Sequence, residues 1–133
     1  MIPRSFQPKT NFSEATFVVG SSADPKSIEL CLRASNGETP GYNPEVANPV
    51  SAGRVTINGV AFSKYNLGDA GAGNYYDTTS YRTMRDGVCY AVEYTIHSTN
   101  IGNYDPSQGI SEFDRAKVQG ILEDIAKSFK FLN

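Results

Sequence analysis

His97 is the only histidine of this chain, so any His-dependent triad or metal site has to use it, and Cys31 and Cys89 are its only cysteines. A Cys-His dyad needs sulfur and imidazole within hydrogen-bond reach. Cys89 and His97 stand in one strongly β-patterned segment, about 26 Å apart if that segment is extended, so they cannot form one. A hydrolase using His97 with a Ser or Asp from a distant loop is the enzyme reading that this leaves, and no GxSxG nucleophile segment announces it. The glycines of GDAGAG (Gly68, Gly71, Gly73) do not follow the GxGxxG order and no helix start follows them, which argues against a nucleotide site. Asp69, Asp77 and Asp105 lack EF-hand spacing. They could bind Ca²⁺ weakly only if folding gathers them, and solvated loop carboxylates are the simpler reading. No cofactor is implied. Asn11-Phe12-Ser13 satisfies a glycosylation sequon, a triplet that also arises by chance.

The two cysteines form neither a CxxC nor a Cys/His cluster, and the chain is rich in Ser, Thr, Asn, Gly and Tyr. We read Cys31–Cys89 as a structural disulfide, with two buried free thiols as the alternative. Closing so long a loop would contribute about 4 kcal/mol in the chain-entropy model.

With 133 residues, 39% hydrophobic and 20% charged, the chain fits one globular domain over 1–133. The net charge of −2 argues against a nucleic-acid partner, because the field would repel a phosphate backbone. The longest apolar run is too short to span a bilayer, and the start (Met1, Ile2, Pro3, Arg4) lacks a signal-peptide core. We therefore expect that an anchor or signal segment has been removed upstream.

The elements follow from local chemistry. Residues 1–12 read as an irregular lead-in, and Ala15 to Val19 as a strand. Asp24-Pro25 reads as an N-cap and first helical residue, with Ile28, Cys31 and Leu32 on one face of a short helix to about Arg33. Prolines 40, 44 and 49 make 35–53 a long loop. Arg54 to Ile57 and Val60 to Tyr65 flank Asn58-Gly59, and Tyr75 to Arg85 and Val88 to Thr99 flank Asp86-Gly87, two type I′ hairpin signals. Residues 67–74 and 100–110 read as loops. Ser111 with Asp114 resembles a capping box, opening a helix that presents Val118, Ile121, Leu122, Ile125 and Phe129, and Lys130 to Leu132 reads as a short edge strand.

The order predicts an α+β fold: an antiparallel sheet of two hairpins plus an N-terminal strand, flanked by helices. On the last strand, Val88, Tyr90, Val92, Tyr94 and Ile96 face the C-terminal helix, whereas Cys89, Ala91, Glu93, Thr95 and His97 face away. A Cys31–Cys89 bond then puts the first helix on that second face and gives an α/β/α sandwich. Both tight turns lie at one end, so the three irregular loops should gather at the other. That rim displays Tyr42, Asn43, Asn74, Tyr75, Tyr76, His97, Asn100, Asn103, Tyr104 and Asp105, a composition suited to recognition surfaces and carbohydrate sites. The bland alternative is that these tyrosines close the core and the asparagines serve turns.

The segment GVCYAVEYTIHSTN, followed by a loop, a capped helix and ILEDIAKSFKF, resembles uncharacterised extracytoplasmic domains of bacteria and archaea, a group distantly similar to the PsbP-like sandwich. The resemblance covers residues 54–132. The Tyr-Pro strand and Trp that often open such domains are absent here. It implies export to the periplasm, cell surface or exterior and a binding or assembly role, with no functional residue to carry over. The expectation is a non-enzymatic exported domain that binds a protein or small ligand through the rim, with the hydrolase or a structural module of a larger envelope protein as alternatives.

Overall fold

Dipeptides with left-handed backbone set the register of the sheet. Asn58 (φ 47°) and Gly59 (φ 79°) join β2 (Val50–Ile57) to β3 (Val60–Gly71), and Asp86 (φ 52°) and Gly87 (φ 75°) join β4 (Asn74–Arg85) to β5 (Val88–Thr99). These are the turns whose twist matches that of paired strands. A third turn corrects the loop expected over 67–74: β3 runs on to Gly71, Leu67 pairs with Thr78, and Ala72 (φ 53°) with Gly73 (φ 78°) makes the reversal. Alanine rarely enters the left-handed region, so this dipeptide carried no turn signal. The ladder continues through Gly68, Ala70 and Gly71 because β4 supplies pairing groups along its whole length.

The computed structural model describes residues 1–32 and 50–132. Among them, β1 (Phe12–Ser22) completes a five-stranded antiparallel sheet of order β1-β5-β4-β3-β2. Much of the loop expected over 35–53, with its Tyr42 and Asn43, lies outside the described residues, and its end is already strand from Val50. β1 is longer than the Ala15 to Val19 expected, and Phe12 already belongs to it. The lead-in is short-range structure, a 3₁₀ turn at Arg4–Phe6 and a bridge between Ile2 and Ala15.

Helix α1 (Pro25–Leu30) starts as its sequence predicts: Asp24 accepts hydrogen bonds from the Lys26 and Ser27 backbone N–H groups. It ends before Arg33, and Cys31 beyond it is bonded to Cys89. Helix α2 (Arg115–Lys127) is capped by Asp114, which accepts from Lys117 N–H, and not by a box begun at Ser111. Ser111 is held elsewhere, in a bridge with Thr10. The helix stops at Lys127, with Ser128 as its C-cap, and Asn58 of the first turn donates to the Lys127 and Phe129 carbonyls. Lys130 to Leu132 form no strand. Phe131 instead packs edge-on against Tyr90 and Phe129, over the sheet face and not along its edge.

The period of two sorts the side chains of β5. Val92, Tyr94 and Ile96 join Phe12, Phe62, Tyr81, Val118, Leu122 and Ala126 in one buried apolar cluster beneath α2. Ala126 replaces Ile125 on the inward face, and Ile125 is exposed. Cys89 points the other way, so α1 is tied to the opposite face.

Two outcomes test this architecture. Replacing Cys31 and Cys89 together by Ala should lower unfolding free energy by about 4 kcal/mol, read from the denaturant midpoint. Ala72→Asn should raise stability by about 1 kcal/mol, because asparagine tolerates the left-handed turn that alanine resists. An unchanged or lowered melting temperature for Ala72→Asn would contradict the turn geometry.

Candidate ligand-binding rim

At the end of the sheet opposite the Asn58-Gly59 and Asp86-Gly87 turns, the Ala72-Gly73 turn meets residues 100–108. Asn100 N–H and Asn103 Nδ2 both donate to the Gly73 carbonyl, at 2.9 and 3.1 Å. A Cβ on Gly73 would stand 2.5 Å from Asn103 Nδ2, so glycine is needed there for close approach as well as for φ. Asn100 also accepts from Gly102 N–H, and Tyr104 shares a hydroxyl hydrogen bond with Thr99 at 2.8 Å. Asp105 caps a 3₁₀ turn at Pro106–Gln108. The Ser107 backbone N–H and then its hydroxyl hold the exposed Asp105 carboxyl below its ordinary pKa. Two of the three segments expected at the rim therefore meet through hydrogen bonds, one of them as a tight turn.

His97 lies on the sheet face away from α2. The Asn74 amide already donates to the Gly71 and Ala72 carbonyls, so its Oδ1 is turned to accept from His97 Nε2 at 2.8 Å. Nδ1 stands 3.6 Å from Glu14 Oε1, an ion pair when the imidazole is protonated. Tyr76 stacks on the ring, centroids 4.3 Å apart and planes at 17°. No Ser or Asp oxygen among the described residues is hydrogen-bonded to His97. Tyr75 and Tyr76 are 40% and 38% exposed and, as neighbours on a strand, they project from opposite faces.

The carboxylates weighed for Ca²⁺ are kept apart. Asp77 pairs with Arg115 at 2.9 Å on the α2 side, Asp69 lies on the other face, and Asp105 is occupied in its cap. Among the described residues, no group of three His, Cys, Asp or Glu stands close enough to hold a metal ion. Beside the Asp77–Arg115 pair, an open hollow of about 410 Å³ runs between β3, β4 and the start of α2, floored by Asn66, Gly68 and Thr79 and walled by Gln119.

Several working residues gave no sequence signal. Asn11, read only as a sequon, is 5% exposed. Its amide donates to the Thr99 carbonyl and to Glu112, and its Oδ1 accepts from Phe113 N–H, while Gln7 exchanges two hydrogen bonds with Asp114. These clamps fix the 100–114 segment, and through it the rim, to the residues that lead into the first strand. Under α2, the hydroxyls of Tyr81 and Tyr94 both donate to Glu123, at 2.6 and 2.7 Å, with Lys64 at 3.6 Å. Burial pushes the Tyr81 hydroxyl far up, reinforced by Glu123. Burial likewise pushes Tyr94 up to about 12, with Thr79 opposing and Glu123 reinforcing. Burial alone would raise Glu123, but the bonds from both tyrosines and the charges of Lys64 and Lys127 outweigh it and leave that carboxyl below its ordinary value.

On the opposite face, Arg82 is fully buried, donates from Nε to Ser80 Oγ and stacks over the Tyr65 ring at 4.3 Å. Glu93 is buried beside it, and burial raises its carboxyl pKa against the opposing effects of Ser80 and Arg82.

Compared with protein-family models, with curated proteins and with solved structures, the chain finds no match in any of the three.

The Glu123 cluster predicts a pH dependence. A carboxyl lowered in the folded state stabilises it above the ordinary glutamate value of 4.5, and that stabilisation disappears as pH falls through the folded pKa. Glu123→Gln should therefore be less stable than the parent by about 1 to 2 kcal/mol at neutral pH, with the two converging in acid. Parallel pH–stability curves would show that the carboxylate charge is not what the two tyrosines hold.

Proposed function

We propose that the chain is a non-enzymatic, exported binding domain that takes a protein segment or small polar ligand at the Tyr/Asn rim. The observation that carries this reading is the Tyr76–His97 stack: a flat, partly exposed ring pair whose orientation is fixed by Asn74 and flanked by Glu14. Fixed aromatic faces ringed by amide and carboxylate groups give a ligand apolar contact and hydrogen bonding with little ordering left to do on binding. Asn100, Asn103 and Tyr104 are spent largely on holding the rim's shape, so Tyr76, His97 and Glu14 on one face, with Tyr75 on the other, are the groups left to meet a ligand. Tyr42 and Asn43, the remaining members of the proposed rim, lie outside the described residues.

The disulfide supports an extracytoplasmic setting, since such bonds persist where the surroundings are oxidising. No helix among the described residues is long and apolar enough to cross a membrane. Helices tied to the two sides of one antiparallel sheet also support the α/β/α, PsbP-like reading of the architecture. The hydrolase alternative rests on His97 alone, and nothing in its surroundings favours it over binding.

Saturation-transfer NMR with a mixture of soluble oligosaccharides and short peptides tests the reading. Ligands that bind should lose about tenfold or more in affinity in Tyr76→Ala, while the amide spectrum of the sheet stays intact. Binding that survives Tyr76→Ala and Asn74→Ala unchanged would remove the rim from consideration. A hydrolytic activity abolished by His97→Ala would replace it with an enzyme.

A further inference from the structure

The two edges of the sheet are treated differently. β2 is blunted as edge strands usually are: its register breaks between Ser51 and Arg54, Gly53 takes φ 94°, and the charged Arg54 follows. β1 has none of these devices from Thr16 to Ser22. That run (Thr, Phe, Val, Val, Gly, Ser, Ser) carries no charge and no proline, and its pairing with β5 is unbroken throughout. Val18 and Val19 in its middle are 48% and 52% exposed, although every residue from Ala15 to Ser22 is paired with β5.

The backbone says which groups are on offer. Ala15 exchanges two hydrogen bonds with Ile2, donating from its N–H and accepting at its carbonyl, so both groups of Ala15 point away from β5. Antiparallel pairing alternates direction with every residue, so the N–H and C=O groups of Phe17, Val19 and Ser21 point outward as well. Among the described residues no hydrogen bond reaches them, whereas Thr16, Val18 and Gly20 are turned inward to β5. Ile2 closes the edge at Ala15 and the strand ends at Ser22, so the open stretch is Thr16 to Ser22 and its midpoint is Val19.

From this symmetry we propose that the β1 edge is a self-association surface: a second copy pairs antiparallel with it about a two-fold axis through Val19, joining two sheets into one of ten strands. An isologous contact requires one patch to complement itself. Val19 satisfies this, since a two-fold at an outward-facing residue gives a pair of identical N–H to C=O bonds between Val19 and its copy, flanked by bonds between Phe17 and Ser21 on either side. The uncharged run sets no like charges against each other across the axis, although the molecule carries net charge −2. Val19 then covers its copy on one face, and on the other each Val18 stands opposite Gly20 of the second copy. The pairing is separate from the rim, whose one β1 residue, Glu14, precedes the open stretch Thr16 to Ser22.

Sedimentation velocity over a concentration series, with amide exchange read at low and high concentration, tests the pairing. The expected result is a reversible dimer in which Phe17, Val19 and Ser21 amides become protected as concentration rises, while Thr16, Val18 and Gly20 are protected at every concentration. Val19→Lys should raise the dissociation constant by about tenfold or more and leave the monomer folded. Val19→Pro should do the same, because it removes a donor that the monomer does not use. A chain that stays monomeric to millimolar concentration overturns the proposal. So does a dimer whose Val19 amide still exchanges freely, or one that Val19→Lys and Val19→Pro leave unchanged. Protection of these amides only on adding an unrelated extended peptide would overturn the second copy as occupant.

Discussion

Everything in this molecule hangs on register. Three two-residue turns in left-handed backbone, each ending in glycine, lock β2 through β5 into a meander in which a slip of one residue would exchange the two faces. In the register observed, Val92, Tyr94 and Ile96 lie under α2, and Cys89, Ala91 and Glu93 lie on the side tied to α1. The disulfide is a second, independent constraint on the same choice, because Cys31 can reach Cys89 only if that face is turned toward α1.

The chain's ends are bound into this frame by amides more than by apolar contact. Gln7 and Asn11 are buried polar side chains whose donors and acceptors are satisfied by the backbone of 99–114. Buried amides with satisfied partners specify geometry, since any shift strands a desolvated group. This is how a long connection, crossing from the end of β5 to the start of α2, holds one shape. The Glu123 carboxylate, bridging two tyrosines of neighbouring strands, performs a similar service for the seat of α2.

Much of this was legible in the residues, for identifiable reasons. Asn-Gly and Asp-Gly name their turns, Asp-Pro names a helix start, and a lone pair of cysteines names its own bond. The third turn was hidden because Ala72-Gly73 adopts a conformation that alanine disfavours and that only the neighbouring ladder imposes. The clamp residues were hidden because hydrogen bonding between segments a hundred residues apart leaves no periodic trace. Glu93 was expected on the second face, the one assigned to the first helix, but nothing in the sequence marked Arg82 as buried beside it. At the rim, composition pointed to Tyr75, Tyr76 and His97. It could not separate these from Asn100 and Asn103, which are exposed but have their side chains hydrogen-bonded into the turn.

The bonds from Asn58 to the last carbonyl of α2 and to that of Phe129 just beyond it have their own consequence. A helix terminus normally unravels by itself, and a hairpin tip opens by itself. Here the two are sewn together, so neither can loosen without the other. Opening at that end of the molecule therefore requires both to give way together.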